Sequence, residues 1–207
     1  LGVTEFYCIF HTYGMKDKKI YDYVKQNAKI VHHWDEPYTT EWEARLKNQY
    51  KREISDHDDE WVWVVDADEF VEVSQDFIRE VLSSDANYVN GWMIDRFSPE
   101  GLIKPTDDNI FIQFPLRTFY TRFKLNGSAS KVTLTRAFVI LGTGHHVVLN
   151  ELYDYGLTDS RVLKPLNESE DEWVEVAHIK WHEQLLEEIY NKFTKTMDIC
   201  KYSAREQ

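Results

Sequence analysis

The chain has 207 residues, and its seven Trp, twelve Tyr and eleven Phe supply enough apolar surface for one domain with a buried core. Its 36 acidic side chains outnumber the 24 basic ones, which gives a net charge of −12. Nucleic acids and anionic membranes attract basic proteins, so this balance disfavours both as partners.

The first half alternates segments of helical periodicity with short apolar segments typical of strands. In chain order we predict a strand over Thr4–Phe10, a helix over Lys16–Ala28, a strand over Lys29–Trp34, a helix over Glu41–Ile54 that Thr39 or Thr40 caps, a strand over Trp61–Val65, a helix from the cap Ser74 to about Ser83, and a strand over Tyr88–Asp95. This alternation predicts an α/β fold with a mostly parallel central sheet flanked by helices.

Beyond Arg96, glycine, proline and asparagine residues divide the chain into shorter segments. Here we predict strands over Phe111–Tyr120, Ala129–Thr135 and Ala137–Leu141, a turn over Gly142–His146, a long loop over Leu149–Glu172, a strand over Trp173–His178, and an amphipathic helix from about Glu183 to Lys201. No repeat or linker is visible, so we expect a single domain over 1–207. Its first half covers about 1–96 and a smaller, mixed second half covers about 97–207.

Carboxylates follow the most apolar of these strands. Residues 61–65 are all β-branched or aromatic, and Asp66 and Asp68 come next. In an extended chain these two side chains point to the same side, so both can bind one hard cation such as Mn²⁺ or Mg²⁺. Ligands of open α/β sheets bind beyond the carboxyl ends of the strands. The pattern therefore predicts a site for a metal and a phosphate, with an exposed acidic turn as the alternative.

The string Trp-Val-Trp-Val-Val-Asp-Ala-Asp-Glu-Phe, at 61–70, resembles the Asp-x-Asp motif of GT-A glycosyltransferases in its family-2-like form. The resemblance covers most of the chain and implies a Rossmann-like GT-A fold, with a nucleotide-binding first half and an acceptor-binding second half. It implies that Asp66 and Asp68 hold the divalent ion that bridges the donor phosphates. The implied reaction moves a sugar, with inversion, from a UDP-sugar to a hydroxyl of a carbohydrate or lipid-linked acceptor.

The segment Val-Ala-His-Ile-Lys-Trp-His, at 176–182, looks like the late His-Tyr element of the same transferases. The resemblance implies a histidine as third metal ligand, with His178 as the first choice and His182 as the second. A neutral imidazole ligand favours Mn²⁺ over Mg²⁺. The alternative for each residue is an ordinary hydrogen-bonded histidine.

Other residues are candidates for contacts with the donor. The segment 144–146 resembles a Gly-x-His turn that would bring His146 towards the metal or the phosphates, and Lys131 matches a recurring lysine that would neutralise the diphosphate. The candidates for holding base and ribose are His11, Tyr13 and Asp17. For all of these, an ordinary exposed position is the alternative. Related enzymes have a strand with an Asn-Glu pair before the segment matched by 1–7, so this is either a shortened member or a chain without that strand.

Inversion requires a general base for the acceptor hydroxyl, at the mouth of the cleft. Asp95 ends a strand at the predicted edge and is the first candidate, while Glu100, Asp107 and Asp108 on the next segment are its rivals. Arg96 would then contact a substrate or keep Asp95 ionised.

The expected function is thus a metal-dependent glycosyltransferase. A sugar nucleotidyltransferase is one alternative, although its Gly-rich phosphate loop is not visible, and a non-catalytic nucleotide- or sugar-binding module is the other. Cys8 and Cys200 do not form a disulfide framework, no apolar run reaches the ~18 residues of a membrane span, and no signal peptide is visible. We therefore expect a cytoplasmic protein.

Overall fold

The computed structural model describes residues 5–13, 18–98, 110–119, 129–149, 151–152, 157–158 and 161–179. Its elements in chain order are β1 (Tyr7–His11), α1 (Lys18–Asn27), β2 (Lys29–Trp34), α2 (Thr40–Glu53), β3 (Trp61–Trp63), β4 (Glu69–Val71), α3 (Gln75–Ser83), β5 (Tyr88–Phe97), α4 (Ile110–Gln113), β6 (Leu116–Thr118), β7 (Ser130–Arg136), β8 (Ile140–Leu141), β9 (Val148–Leu149), β10 (Glu151–Leu152), β11 (Leu157–Thr158) and β12 (Val174–His178). Short 3₁₀ turns lie at Thr143–His145 and Glu170–Glu172.

The main sheet is a mixed one of six strands, in the order β3-β7-β5-β12-β4 with β6 paired to the last residues of β5. Among the described strands of this sheet only β5 and β12 run parallel, and every other pair is antiparallel. The parallel strands β1 and β2 form a separate two-stranded sheet. The prediction of a mostly parallel central sheet flanked by helices, as in a Rossmann-like GT-A fold, was therefore wrong.

The error in sheet type concerns which strands pair with one another. Periodicity identifies a strand, but it does not identify the neighbour with which that strand pairs. Strand β7, from the second half of the chain, lies between β3 and β5 and is antiparallel to both. Strands from both halves therefore share one sheet.

Several local predictions are confirmed. Strand β2 has the predicted bounds, and α2 begins after Thr39, whose Oγ1 accepts a hydrogen bond from the Trp42 N–H at 3.1 Å. Ser74 caps α3 in the same way, since its Oγ accepts from the Phe77 N–H at 3.1 Å. Such side-chain caps satisfy amide groups that the first helical turn leaves unpaired.

Other segments differ from the prediction. In place of a strand over Phe111–Tyr120 the chain forms α4 and β6, which Pro115 separates because a proline disfavours helix in the residue before it. Strand β3 ends at Trp63, and β8 begins only at Ile140 because a turn, closed by the Val139 N–H and the Arg136 carbonyl at 3.1 Å, precedes it. The predicted last helix, over 183–201, lies outside the described residues.

The core lies on both sides of the central strands. One cluster joins Val81 of α3 to Val89 of β5 and Leu134 of β7, and Trp61 and Trp63 of β3 pack against it. Burial of each such side chain contributes roughly 1.5–3 kcal/mol. These contacts anchor β3 and thereby the acidic turn that follows it. Within the described part of the chain, no helix is both long and apolar enough to cross a bilayer.

Candidate functional site

The acidic segment after β3 is a turn. The Glu69 N–H donates to the Asp66 carbonyl at 3.0 Å, which places Asp68 inside a turn rather than on an extended strand. The alternation of an extended chain therefore does not describe how Asp66 and Asp68 are arranged. Each carboxylate has partners of its own, and their convergence on one cation stays a prediction.

Asp66 lies between two lysines. Its Oδ1 is 2.5 Å from Lys47 Nζ, and its Oδ2 is 3.0 Å from Lys131 Nζ. Burial raises the pKa of the Asp66 carboxyl, but the two ammonium groups outweigh it and hold that pKa well below its usual range. Asp66 is therefore a carboxylate at neutral pH.

Lys131 reaches this carboxylate from β7 and is only 3% exposed. Besides Asp66, its ammonium group contacts Glu69 Oε1 at 2.6 Å and the Gly144 carbonyl at 2.7 Å. Burial lowers the pKa of Lys131, whereas Glu69 and Asp66 raise it by more, so the amine stays charged. An ammonium group has three donors, and these three acceptors match them. Its charge is thus balanced within the protein, and contact with a donor diphosphate remains a prediction.

The other aspartate of the turn lies against His178, the last residue of β12. His178 Nε2 is 3.5 Å from Asp68 Oδ2, and its Nδ1 is 3.0 Å from Asp95 Oδ1. The Ile179 N–H also donates to the Asp68 carbonyl at 2.8 Å, which ties the turn to the end of β12. Burial lowers the pKa of His178, but hydrogen bonds to Asp68 and Asp95 raise it to about 9.

Asp95 does not lie where a general base was expected. Its side chain has 0% exposure, beneath His178 in the middle of the sheet, because β5 has neighbours on both sides at this position. The next residue, Arg96, pairs with Glu175 at 2.6 Å, since successive side chains of a strand point to opposite faces. A group without solvent contact does not reach an acceptor hydroxyl at the mouth of a cleft. The rivals Glu100, Asp107 and Asp108 lie outside the described residues.

Three residues near Asp66 were not identified from the sequence. Glu43 and Lys47 lie one turn apart on α2, and the Lys47 ammonium group bridges Glu43 Oε1 and Asp66 Oδ1. His145 is 1% exposed, and neither of its ring nitrogens has a hydrogen-bond partner among the described residues. Three potential ligand atoms, one each from Glu43, Asp66 and His145, lie within 4.8 Å of one another. Such a grouping is not by itself evidence of a metal.

No sequence signal would have singled these residues out. A Glu and a Lys four positions apart on a charged helix are typical of an ordinary exposed pair. The histidine follows Gly144 in a segment that we interpreted only through its neighbour, His146. Their proximity results from the packing of α2 against the turn after β8.

The buried side chain of Asn48 holds these two elements together. Its Nδ2 donates to the Leu141 carbonyl at 2.7 Å, and its Oδ1 accepts from the Leu141 N–H at 2.8 Å. The turn that follows has Gly144 at φ 63°, and a Cβ there would lie 2.8 Å from the His146 ring. Glycine therefore suits this position both by conformation and by space.

The remaining predicted residues that the structure describes are bonded to neither aspartate, although the Asp66 charge still acts on His146. His146 Nδ1 is 2.6 Å from the Ser130 carbonyl, and burial lowers the pKa of His146. His11 Nε2 is 2.8 Å from the Glu36 carbonyl, and Tyr13 is 57% exposed. In the described ranges, no hydrogen bond or ion pair joins these three to Asp66 or Asp68. The predicted residues Asp17 and His182 lie outside those ranges.

The site thus has two connected parts. In one, Asp66 lies among Lys47, Lys131, Glu69 and His145, and in the other Asp68 lies against the His178–Asp95 pair. Comparisons of the chain with protein-family models, with curated proteins and with solved structures each found no match.

Proposed function

We propose that the chain is a metal-dependent glycosyltransferase that moves a sugar from a UDP-sugar to a hydroxyl of a carbohydrate or lipid-linked acceptor. One observation carries the proposal. The two ring nitrogens of His178 each face an aspartate: Nε2 is 3.5 Å from Asp68 Oδ2, and Nδ1 is 3.0 Å from Oδ1 of the buried Asp95. The resemblance of residues 61–70 to the Asp-x-Asp motif supplies the reaction class.

The residues fit a metal ion of the Mn²⁺ type. A metal-binding histidine usually donates its second ring N–H to a carboxylate, which sets the tautomer and the ring orientation. Asp95 accepts from Nδ1 in that way, so Nε2 is the nitrogen that faces Asp68. The Asp68 side chain is 39% exposed and therefore accessible to an ion from solvent. A mixed oxygen and nitrogen donor pair suits Mn²⁺ better than Mg²⁺.

Asp68 and His178 would hold the ion, and Asp66 would join them after releasing Lys47. When bound, the ion would supply a Lewis acid for the departing diphosphate. Asp95 keeps the imidazole oriented, and Lys131 keeps Asp66 ionised and in place through their 3.0 Å contact.

An aromatic group beside Glu43 is a candidate platform for the base of the donor. Tyr38 is 54% exposed, and its ring lies 5.6 Å from that of Trp34 and 6.0 Å from that of His11. The Tyr38 hydroxyl donates to Glu43, so this cluster of rings is connected to the carboxylates around Asp66. Flat aromatic faces of this kind stack on nucleobases. His11 would then support Tyr38 rather than contact the base itself.

The second candidate is the non-catalytic nucleotide- or sugar-binding module. The burial of Asp95 favours it, because the described residues then lack the base that was expected to activate the acceptor. Cys8, whose thiol is free, is consistent with a reducing compartment, and we place either function in the cytoplasm.

Measurement of UDP release from a panel of UDP-sugars, with Mn²⁺ and with a chelator, tests the proposal. We expect release that requires the metal and that falls at least ~100-fold in Asp68→Ala, which removes a ligand. Asp76→Asn is the matched control, because the Asp76 side chain is 88% exposed on α3. Full metal-dependent release by Asp68→Ala would contradict the assignment. Metal-dependent binding of UDP without release from any donor would favour the binding module.

A further inference from the structure

The transferase proposal gives no role to His145, whose buried ring lies close to Glu43 and Asp66. His145 is 1% exposed, and among the described residues neither of its ring nitrogens has a hydrogen-bond partner. A buried polar group without a hydrogen-bond partner is destabilising, so the position of His145 points to a ligand that would pair with it. One ring nitrogen lies within 4.8 Å of carboxylate oxygens of both Glu43 and Asp66.

A cation already bridges these two carboxylates. The Lys47 ammonium group contacts Glu43 Oε1 and, at 2.5 Å, Asp66 Oδ1. The Tyr38 hydroxyl donates to the second oxygen of Glu43, and Lys131 lies 3.0 Å from the second oxygen of Asp66. The two inner oxygens are therefore held towards one positive charge, while neither ring nitrogen of the nearby His145 has a hydrogen-bond partner among the described residues.

We propose that Glu43, Asp66 and His145 form a second site for a divalent transition-metal ion, which shares Asp66 with the ion proposed at Asp68 and His178, and that the Lys47 ammonium group occupies it when the metal is absent. Two carboxylates and an imidazole are a donor set suited to Mn²⁺, Co²⁺ or Zn²⁺ rather than to Ca²⁺. Ligand atoms bonded at ~2.1 Å to one ion lie at most ~4.2 Å apart, so small side-chain movements close the group around it.

The elements that carry these ligands are held in place. Glu43 and Lys47 lie on α2, and Asn48 of the same helix binds both polar backbone groups of Leu141, two residues before the turn of His145. His145 itself has φ 54°, a conformation that residues other than glycine adopt rarely. The imidazole is thus presented to α2 by a turn that is fixed at its start.

Co²⁺ titration of the chelator-treated protein, followed by visible absorption and calorimetry, tests the site directly. The test uses Asp68→Ala as the starting variant, because this protein lacks a ligand of the ion in the transferase proposal. Any Co²⁺ that it binds is then assigned to the second site. We expect one Co²⁺ to bind, and we expect His145→Gln or Glu43→Gln in the same background to weaken that binding at least ~10-fold. His146→Gln is the matched control, because its ring is already bonded to the Ser130 carbonyl.

Lys47→Met tests the competing ammonium group. Without that cation the two carboxylates repel each other in the chelated protein, so we expect lower thermal stability that Co²⁺ restores and an affinity raised ~10-fold. Thermal unfolding in chelator shows whether each variant is folded. Absence of Co²⁺ binding by Asp68→Ala, or unchanged binding in folded His145→Gln, would overturn the second site. Neither result depends on UDP release, so failure here and failure of the transferase proposal are distinguishable.

Discussion

His178 and Asp95 form a buried pair across the neighbouring strands β12 and β5, with 3.0 Å between His178 Nδ1 and Asp95 Oδ1. The carboxylate of Asp95 has no exposed surface, and the imidazole is almost wholly enclosed. An ionised carboxylate accepts hydrogen bonds only, so Nδ1 must be the donor. The pair therefore leaves Nε2 as the atom that meets Asp68 and solvent.

Removal of the Asp95 charge tests this arrangement. In Asp95→Asn the amide keeps the shape but no longer stabilises a charged ring, so the pKa of His178 falls from about 9. We expect metal-dependent UDP release to drop ~10- to 100-fold while the fold is kept. NMR titration of the His178 ring measures the pKa, and Asp76→Asn serves as the control. An unchanged titration would show that Asp95 does not act on His178.

The stability of the metal-free protein should depend on the charge of His178. The folded-state pKa of about 9 lies above the ordinary value of 6.5, so its charged form stabilises the fold. That contribution is fully present below about pH 6.5 and is lost as the pH rises through about 9. We expect wild type to exceed His178→Gln by ~1–3 kcal/mol at pH 6 and to lose most of this difference by pH 10. Urea unfolding of both proteins in chelator measures it, and a difference that is constant with pH would contradict it.

The charge of Lys51 should destabilise the folded protein, whereas that of His178 stabilises it. It is buried with its ammonium group on Thr135 Oγ1, at 3.2 Å, and on the Val139 carbonyl, and burial lowers its pKa from 10.5 to about 7. The folded state therefore carries the full cost of the buried charge below about pH 7, and this cost disappears as the pH rises towards 10.5.

Lys51→Met removes that charge and keeps most of the side-chain volume. We compare the free energy of unfolding of the variant with that of wild type. This comparison should favour the variant most at pH 6, and it should move in favour of wild type by at least ~1 kcal/mol between pH 7 and pH 10. Urea unfolding at several pH values measures the shift, and Arg45→Met, on the same helix, is a control for general loss of charge. A pH profile parallel to that of wild type would show that Lys51 is charged in the folded state throughout.

Asn48 should be among the side chains on which the turn of His145 depends. Asn48→Leu removes the bonds to the Leu141 N–H and carbonyl and leaves both buried groups without these partners. We expect a loss of ~2–4 kcal/mol in the free energy of unfolding. Gln49→Ala, which breaks only an exposed bond to Glu53, should cost under ~1 kcal/mol. Equal effects of the two substitutions, measured by urea unfolding, would contradict this role of Asn48.

Local features of this protein could be predicted from the sequence because they depend on near neighbours. The caps at Thr39 and Ser74 and the bounds of β2 follow from side-chain hydrogen bonding and from periodicity. The resemblance in 61–70 and 176–182 also selected Asp68 and His178, which the structure places 3.5 Å apart. Their binding of a metal remains a prediction.

Strand partners and burial were decided only by the tertiary structure. The residues of β7 (Ser130–Arg136) do not by themselves predict that this strand lies between β3 and β5. Strand pairing depends on which apolar faces the whole chain can bury together. For the same reason Asp95, at the end of a predicted strand, looked accessible but lies in the middle of the sheet. The sequence by itself determined the helix caps at Thr39 and Ser74 and the bounds of β2, because these depend on residues close in the chain. Only packing brought Glu43 and His145 to Asp66, because contacts between residues distant in the chain follow from the fold as a whole.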